Sequence, residues 1–142
     1  MSSEQLLVLS RRNAEAYEPE GVEICISISD PRVEGARLSN KFAAVLRLEF
    51  DDLLGPMTDR SVIFGAEHAE AVLRFVAAWP QAERIVVHCG AGLSRSPGIV
   101  LGLCDRAGWP IEDLERRYPL WNTLVRSVLA AHPRLLTSDS SR

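Results

Sequence analysis

The sequence predicts an α/β fold in which helices flank a central, mostly parallel sheet. Segments with strand periodicity alternate with segments of helical periodicity along the chain, which is the order that builds such a sheet. Residues 85–87 are continuously apolar, as expected of a strand covered on both faces. The chain has 142 residues, of which 46% are hydrophobic and 25% are charged, and this composition fits a single domain with a buried core.

The first segment of the chain predicts one helix and one clear strand. Residues 6–9 form a short apolar run, and the polar stretch over residues 11–17 is compatible with a helix. Residues 22–29 then alternate strictly between apolar β-branched and more polar side chains. This period of two predicts a strand. A loop begins directly after it.

A second strand and a longer helix follow. Residues 45–50 alternate again between apolar and polar side chains, which predicts a half-buried strand that ends at Asp51 and Asp52. After a loop, apolar side chains recur at the i, i+3, i+4, i+7 spacing of an amphipathic helix. This helix begins at about Gly65, and Pro80 ends it.

The second half of the chain predicts three helices after the apolar strand. Pro97 follows a glycine-rich turn and stands where we expect the first helical position, and the helix after it is apolar nearly all round. This pattern predicts a buried helix that ends at Gly108. A short helix over residues 111–118 and an amphipathic helix that includes Trp121 complete the pattern. We assign residues 1–136 to the domain and residues 137–142 to a polar tail.

Composition and charge exclude several classes of function. The longest apolar stretch, residues 99–104, is far shorter than the roughly 20 residues of a membrane span. The 16 Lys and Arg and the 19 Asp and Glu give a net charge of −3, and no basic run suggests a nucleic-acid or lipid surface. We therefore expect neither a membrane nor a nucleic-acid partner. A local site must bind any anionic substrate, and the oligomeric state stays open.

The cysteine count and the first residues predict where the protein works. The chain contains three scattered cysteines, an odd number, and residues 1–5 lack the pattern of a secretory signal. Both features favour a reduced, cytoplasmic setting. His68 and His132 lie on separate helices without cysteine or carboxylate partners, so we expect no metal site and no cofactor.

The residues with catalytic chemistry cluster between the apolar strand and the buried helix. In order they are His88, Cys89, Gly90, Ala91, Gly92, Leu93, Ser94, Arg95 and Ser96. The segment between Cys89 and Arg95 is long enough to form a loop whose backbone N–H groups point inward and bind a tetrahedral oxyanion. The helix N-terminus and the bidentate guanidinium of Arg95 add positive charge. Since such surroundings lower the pKa of a cysteine from about 8.5 to roughly 3.5–7.5, we expect Cys89 to be a thiolate at neutral pH.

Residues 88–96 resemble the His-Cys-x5-Arg-Ser/Thr signature of the protein tyrosine phosphatase superfamily. Chain length and the position of the signature are similar to the compact dual-specificity branch and its small bacterial relatives. The resemblance implies that Cys89 is the nucleophile and that Arg95 and residues 90–94 bind the phosphate. It also implies that Ser96 helps the thiolate leave, and that His88 holds the loop and tunes the thiolate by hydrogen bonding.

The same family takes its general acid from the loop after the preceding strand. Asp51, Asp52 and Asp59 fall in this region. We rank Asp52 first, because it follows the strand end as the Asp of an Asn-Asp pair does in relatives, and Asp59 second. The phosphate loop contains no Lys, unlike members that act on phosphoinositides, so an inositol phosphate substrate is disfavoured.

The sequence thus predicts a phosphomonoester hydrolase that acts through a phosphocysteine intermediate. Its expected partner is a phosphorylated protein, or another phosphomonoester, with phosphotyrosine as the main substrate and phosphoserine or phosphothreonine also open. Two alternatives remain. A non-catalytic phosphate-binding relative would keep the loop and Arg95, and a rhodanese-like sulfurtransferase also presents a reactive cysteine on a loop before a helix.

Overall fold

The computed structural model describes residues 1–134 and has the predicted α/β fold. Its single sheet has four parallel strands in the order β1-β4-β2-β3, namely β1 (Leu6–Ser10), β2 (Glu23–Ser29), β3 (Ala44–Glu49) and β4 (Arg84–Cys89). The helices in this range are α1 (Arg11–Ala16), α2 (Ala66–Ala77), α3 (Arg95–Ala107), α4 (Glu112–Arg117) and α5 (Thr123–Ala131). None of them has both the length and the apolar character that crossing a membrane requires.

Strand β4 lies inside the sheet between β1 and β2, as its apolar sequence predicts. All four strands run in the same direction, so their carboxyl ends share one edge of the sheet. Ligands of open α/β sheets bind in the crevice outside this edge. The topology therefore brings together the loops that follow β2 and β3 and the segment that begins at Cys89.

Strand β2 is buried along its whole length, on both faces. Ile24, Ile26 and Ile28 belong to the main core, whereas Cys25 belongs to a second apolar cluster on the opposite face. Alternate residues of β2 thus lie on opposite faces of the sheet, and both faces are buried. Strand β3 is an edge strand and keeps the half-buried pattern that its sequence predicts.

Two helix starts differ from the sequence prediction. Helix α3 begins at Arg95, so Pro97 is its third residue and not its first. The first four N–H groups of a helix have no acceptor within it, so a proline is tolerated anywhere in the first turn. Helix α5 begins at Thr123 with Asn122 as its N-cap, and Trp121 precedes the helix instead of belonging to it. The predicted tail, residues 137–142, and the domain boundary at residue 136 lie outside the described residues.

Helix α3 is buried from Arg95 to Cys104, as predicted, and it packs closely against α5. Two glycines of α3 make this approach possible. A Cβ on Gly98 would lie 2.9 Å from the backbone oxygen of Asn122, and a Cβ on Gly102 would lie 2.9 Å from the Cβ of Leu129. The distance between the two helices is therefore set by the absence of side chains at these positions.

We expect Gly102→Ala to lower the free energy of unfolding by about 1–3 kcal/mol, as overpacked cores do. The new Cβ would lie 2.8 Å from Cδ2 of Leu129, and this clash outweighs the roughly 1 kcal/mol by which Ala favours a helix over Gly. Urea denaturation measures the change. Gly55→Ala is the control, because its Cβ meets no atom within 4 Å. A Gly102→Ala protein as stable as the wild type would contradict this account of the packing.

Candidate active site

The thiol of Cys89 lies in a cavity of about 390 Å³ at the carboxyl edge of the sheet. The side chain is only 2% exposed. The cavity is lined by Asp52, Cys89, Ala91, Leu93, Ser94, Arg95 and Leu120. The structure thus brings together Cys89, Arg95 and Asp52, three residues to which the sequence assigns catalytic roles.

Two hydrogen-bonding groups contact the sulfur of Cys89. The backbone N–H of Gly92 donates to Sγ at an N···S distance of 3.3 Å, and Oγ of the buried Ser96 lies 3.1 Å from Sγ. Hydrogen bonds to the charged form of a group favour that form. These contacts are therefore suited to a sulfur that carries negative charge, either before attack or as a leaving group.

The loop from Cys89 to Arg95 is held against the end of β1. Gly92 has a φ of +75°, and a Cβ on it would lie 2.8 Å from the backbone nitrogen of Ser10. Only glycine combines this conformation with such close contact. The backbone N–H of Arg11 also donates to the carbonyl oxygen of Gly90 at 2.9 Å. The junction of β1 and α1 thus fixes the loop.

Arg95 is buried, and its guanidinium is oriented by the ends of two strands. Nη1 donates to Oδ1 of Asp30 at 2.7 Å and to the carbonyl oxygen of Phe50 at 2.8 Å. Nη2 points along the phosphate loop and would lie 3.6 Å from a Cβ on Gly90. Nη2 is thus placed to donate to a group bound in the loop. Asp30 was missed in the sequence, although its position directly after β2 is a signal for the carboxyl edge.

His88, directly before Cys89, is fully buried. Nδ1 lies 3.2 Å from the carbonyl oxygen of Cys89 and therefore donates to it, which leaves Nε2 to accept from the hydroxyl of Ser27 at 2.6 Å. Burial lowers the pKa of His88 below its usual value, and the bond to the Cys89 carbonyl partly opposes this shift. A neutral His88 that orients the end of β4 fits these contacts. Ser27 is a second site residue that the sequence did not reveal.

Of the three candidate acids, Asp52 lies in the cavity of Cys89. Its Oδ1 accepts hydrogen bonds from Oγ of Ser94 and from Nδ2 of Asn122, both at 2.8 Å. Both contacts fall on Oδ1, so Oδ2 is the oxygen available to carry a proton. Asn122 was also missed, because the predicted last helix includes Trp121 and so places Asn122 within the helix and not at its N-cap.

Asp51 and Asp59 have other surroundings. Oδ2 of Asp51 accepts from the backbone N–H of Val62 at 2.9 Å, and its own N–H donates to the Val62 carbonyl at 2.6 Å. Asp51 therefore closes the loop after β3. Asp59 is exposed and does not line the Cys89 cavity.

The other cysteines and histidines form no second site. Burial raises the pKa of Cys25 to about 12 and that of Cys104 to about 11, so both are neutral thiols. His68 accepts from the N–H of Gly65, the N-cap of α2. Within residues 1–134, no group of three or more His, Cys, Asp or Glu side chains is arranged to hold a metal ion.

The fold is similar to that of a solved protein tyrosine phosphatase, Tk-PTP in its active form. The TM-score is 0.57, and the similarity covers 88% of this chain and 89% of that chain at 15% sequence identity. No protein-family model and no curated protein sequence matches the chain. At this identity, the similarity supports the fold alone, so the chemistry of the site has to be argued from its geometry.

The low pKa of His88 makes stability depend on pH. The unfolded chain takes up a proton near the ordinary value of 6.5, before the folded protein does. We therefore expect the free energy of unfolding to fall as the pH drops below about 6.5, with no contribution from His88 at higher pH. His88→Gln should make this decline shallower in urea titrations, whereas the control His132→Gln should not. An equal slope in wild type and His88→Gln would show that His88 is not the group responsible.

Proposed function

We propose that this protein is a cysteine-dependent phosphatase that hydrolyses phosphotyrosine in proteins through a phosphocysteine intermediate. The observation that carries this proposal is a single cavity lined by the Cys89 thiol, the Arg95 guanidinium and the Asp52 carboxyl group. The fold shared with a tyrosine phosphatase supports the proposal at the level of architecture. A cytoplasmic setting suits it, because thiols stay reduced there.

In the first step, the Cys89 thiolate attacks phosphorus in line with the departing tyrosine oxygen. A bond forms between sulfur and phosphorus, the bond between phosphorus and oxygen breaks, and Asp52 gives its proton to the leaving oxygen. The loop N–H groups and Arg95 bind the equatorial oxygens of the transferred group. Because these donors are already oriented, they stabilise the developing charge without reorganisation.

In the second step, water attacks the phosphocysteine. Asp52, now ionised, takes a proton from the water, the bond between sulfur and phosphorus breaks, and inorganic phosphate leaves. The Gly92 N–H and the Ser96 hydroxyl contact the sulfur at 3.3 Å and 3.1 Å, so they can stabilise the departing thiolate. The free enzyme is thereby restored.

The walls of the cavity favour an aryl phosphate. Leu93 is 52% exposed and Leu120 is 67% exposed, and both line the cavity beside the phosphate loop. Apolar side chains in these places can pack against the ring of a phosphotyrosine. A phosphoserine offers no such surface. We therefore expect phosphotyrosine to be the better substrate.

The position of Asp52 also separates this proposal from the two alternatives. A rhodanese-like sulfurtransferase needs no acid beside its cysteine, yet Asp52 lines the same cavity as Cys89. A non-catalytic phosphate-binding relative lacks the thiol or the acid, and this chain has both. The phosphatase reaction gives a role to all three of Cys89, Arg95 and Asp52, which favours it over the alternatives.

We expect the protein to hydrolyse p-nitrophenyl phosphate and phosphotyrosine peptides in the presence of EDTA, with inhibition by vanadate. Cys89→Ser should abolish turnover, and Cys104→Ala, in the buried core, serves as the matched control. Sulfur transfer from thiosulfate to cyanide should not occur. Turnover that survives in Cys89→Ser, or that disappears with the chelator, would refute the cysteine mechanism. Phosphate binding without any turnover would favour the non-catalytic relative.

We expect Asp52→Asn to lower kcat for phosphotyrosine by roughly 10²-fold, the lower end of what a positioned general acid contributes. The asparagine keeps an oxygen that can accept from Ser94 and Asn122 but cannot supply the proton. A series of aryl phosphates should show kcat of Asp52→Asn falling as the leaving-group pKa rises, with a smaller defect for good leaving groups. Asp59→Asn is the control. If the steep dependence appeared in Asp59→Asn instead, Asp59 would be the acid.

A further inference from the structure

A second cavity lies directly beside the Cys89 cavity. Its volume is about 290 Å³, and it is lined by Arg32, Asp51, Asp52, Leu53, Thr58, Arg60 and Ser61. Asp52 lines both cavities. A substrate that binds its phosphate on the Cys89 loop can therefore reach this second cavity, which the two-step reaction does not use.

Arg32 and Arg60 are the two cations of the second cavity. Both are exposed, and within residues 1–134 neither guanidinium forms an ion pair or a hydrogen bond. Arg95, by contrast, is held by Asp30 and by a backbone carbonyl. The two exposed arginines are thus free to bind an anion from outside the protein.

The backbone of Arg32 is unusual. Its φ is +66°, and no other residue except glycine has a positive φ in the part of the chain that the structure describes. Asp30, Pro31, Arg32 and Val33 form a turn in which the Val33 N–H donates to the Asp30 carbonyl, with proline second and Arg32 third. The third position of such a turn usually holds Gly or Asn. A strained backbone conformation beside a catalytic cavity points to a functional constraint on that residue.

One oxygen of each carboxylate in the second cavity is held by donors of the chain itself. Oδ2 of Asp51 accepts from the Val62 N–H, and Oδ1 of Asp52 accepts from Ser94 and Asn122. The hydroxyl of Ser61 accepts from the backbone N–H groups of Met57 and Thr58 and lies 3.4 Å from Oγ1 of Thr58. The charged donors left for a ligand are therefore the two exposed guanidinium groups, which match an anion.

The surroundings of both cavities favour a polypeptide as the ligand. Seven large hydrophobic side chains are exposed among the described residues, and five of them either line one of the two cavities or adjoin in sequence a residue that does. These five are Val33, Leu54, Met57, Leu93 and Leu120. Exposed apolar side chains around a binding site give a bound polypeptide apolar surface to contact. A small anionic molecule would leave most of them uncovered.

We propose that Arg32 and Arg60 form a second anion-binding subsite, which holds an acidic side chain of a polypeptide substrate while its phosphotyrosine occupies the Cys89 cavity. The acidic group is a carboxylate or a second phosphate. This inference rests on the proposed phosphatase function. Because the subsite contacts no reacting atom, it binds ground state and transition state equally and lowers KM without changing kcat.

The test compares three phosphotyrosine peptides that differ only beside the phosphotyrosine, with glutamates, a phosphoserine or glutamines there. Arg32→Asn and Arg60→Gln remove the charges, and asparagine tolerates the left-handed backbone at position 32. Each variant should raise KM for the glutamate peptide by about two- to fivefold, the range of an exposed ion pair, with kcat unchanged. The phosphoserine peptide should show a larger rise, since arginine binds phosphate through paired hydrogen bonds.

The controls separate failure of the subsite from failure of the proposed function. Turnover of p-nitrophenyl phosphate and of the glutamine peptide should be the same in all variants, and Arg74→Gln, on α2 outside both cavities, should behave as wild type. Equal KM values for all peptides in every variant would overturn the subsite while leaving the phosphatase intact. Absence of any turnover by the wild type would overturn the phosphatase itself. A stronger arginine dependence with a soluble inositol bisphosphate than with any peptide would overturn the polypeptide assignment.

Discussion

The buried amide of Asn122 joins the three segments on which the site depends. Its Nδ2 donates to Asp52 and to the Leu53 carbonyl, its Oδ1 accepts from the Val125 N–H, and its backbone N–H donates to the Ser94 carbonyl. The loop after β3, the phosphate loop and the start of α5 thus meet at one side chain that is only 3% exposed. Any shift of one segment would leave a buried polar group without a partner, which costs more than the bond itself contributes. The position of Asp52 relative to Cys89 follows from this constraint.

Arg95 is held in a similar way, by groups that follow the ends of two strands. Strand β4 supplies Cys89, and the guanidinium of Arg95, the first residue of α3, is held by Asp30 after β2 and by the Phe50 carbonyl after β3. The parallel topology is what makes this possible, because it brings three carboxyl ends to one edge. A buried cation needs such partners, since an unpaired charge in the interior is strongly unfavourable. The result is a guanidinium whose direction is fixed before any phosphate arrives.

Features that depend on residues close together in the sequence could be predicted from it, whereas contacts between residues far apart in the sequence could not. The periodic segments predicted the strands and helices, and the short interval from Cys89 to Arg95 predicted the loop between β4 and α3, because both patterns depend on neighbouring residues. Two helix starts were predicted at the wrong residue. Pro97 does not mark the first position, since a proline is equally tolerated through the first turn, and Trp121 precedes α5. The choice among the aspartates depends on Asn122, which lies 70 residues after Asp52 and is brought to it only by the packing of α5 on α3. Asp30 and Ser27 stayed hidden for the same reason, because their partners Arg95 and His88 lie 65 and 61 residues away.

The chain carries a net charge of −3, so its attraction for anions must come from the placement of a few arginines and not from an overall field. The two kinds of placement have different consequences. Arg95 is buried and held by two acceptors, so it interacts with a bound phosphate in a low dielectric and with little loss of side-chain entropy. Arg32 and Arg60 are exposed, so water and salt screen them, and they must be ordered when a ligand binds. Under the proposed function, the first arrangement is suited to stabilising a transition state and the second to selecting a substrate.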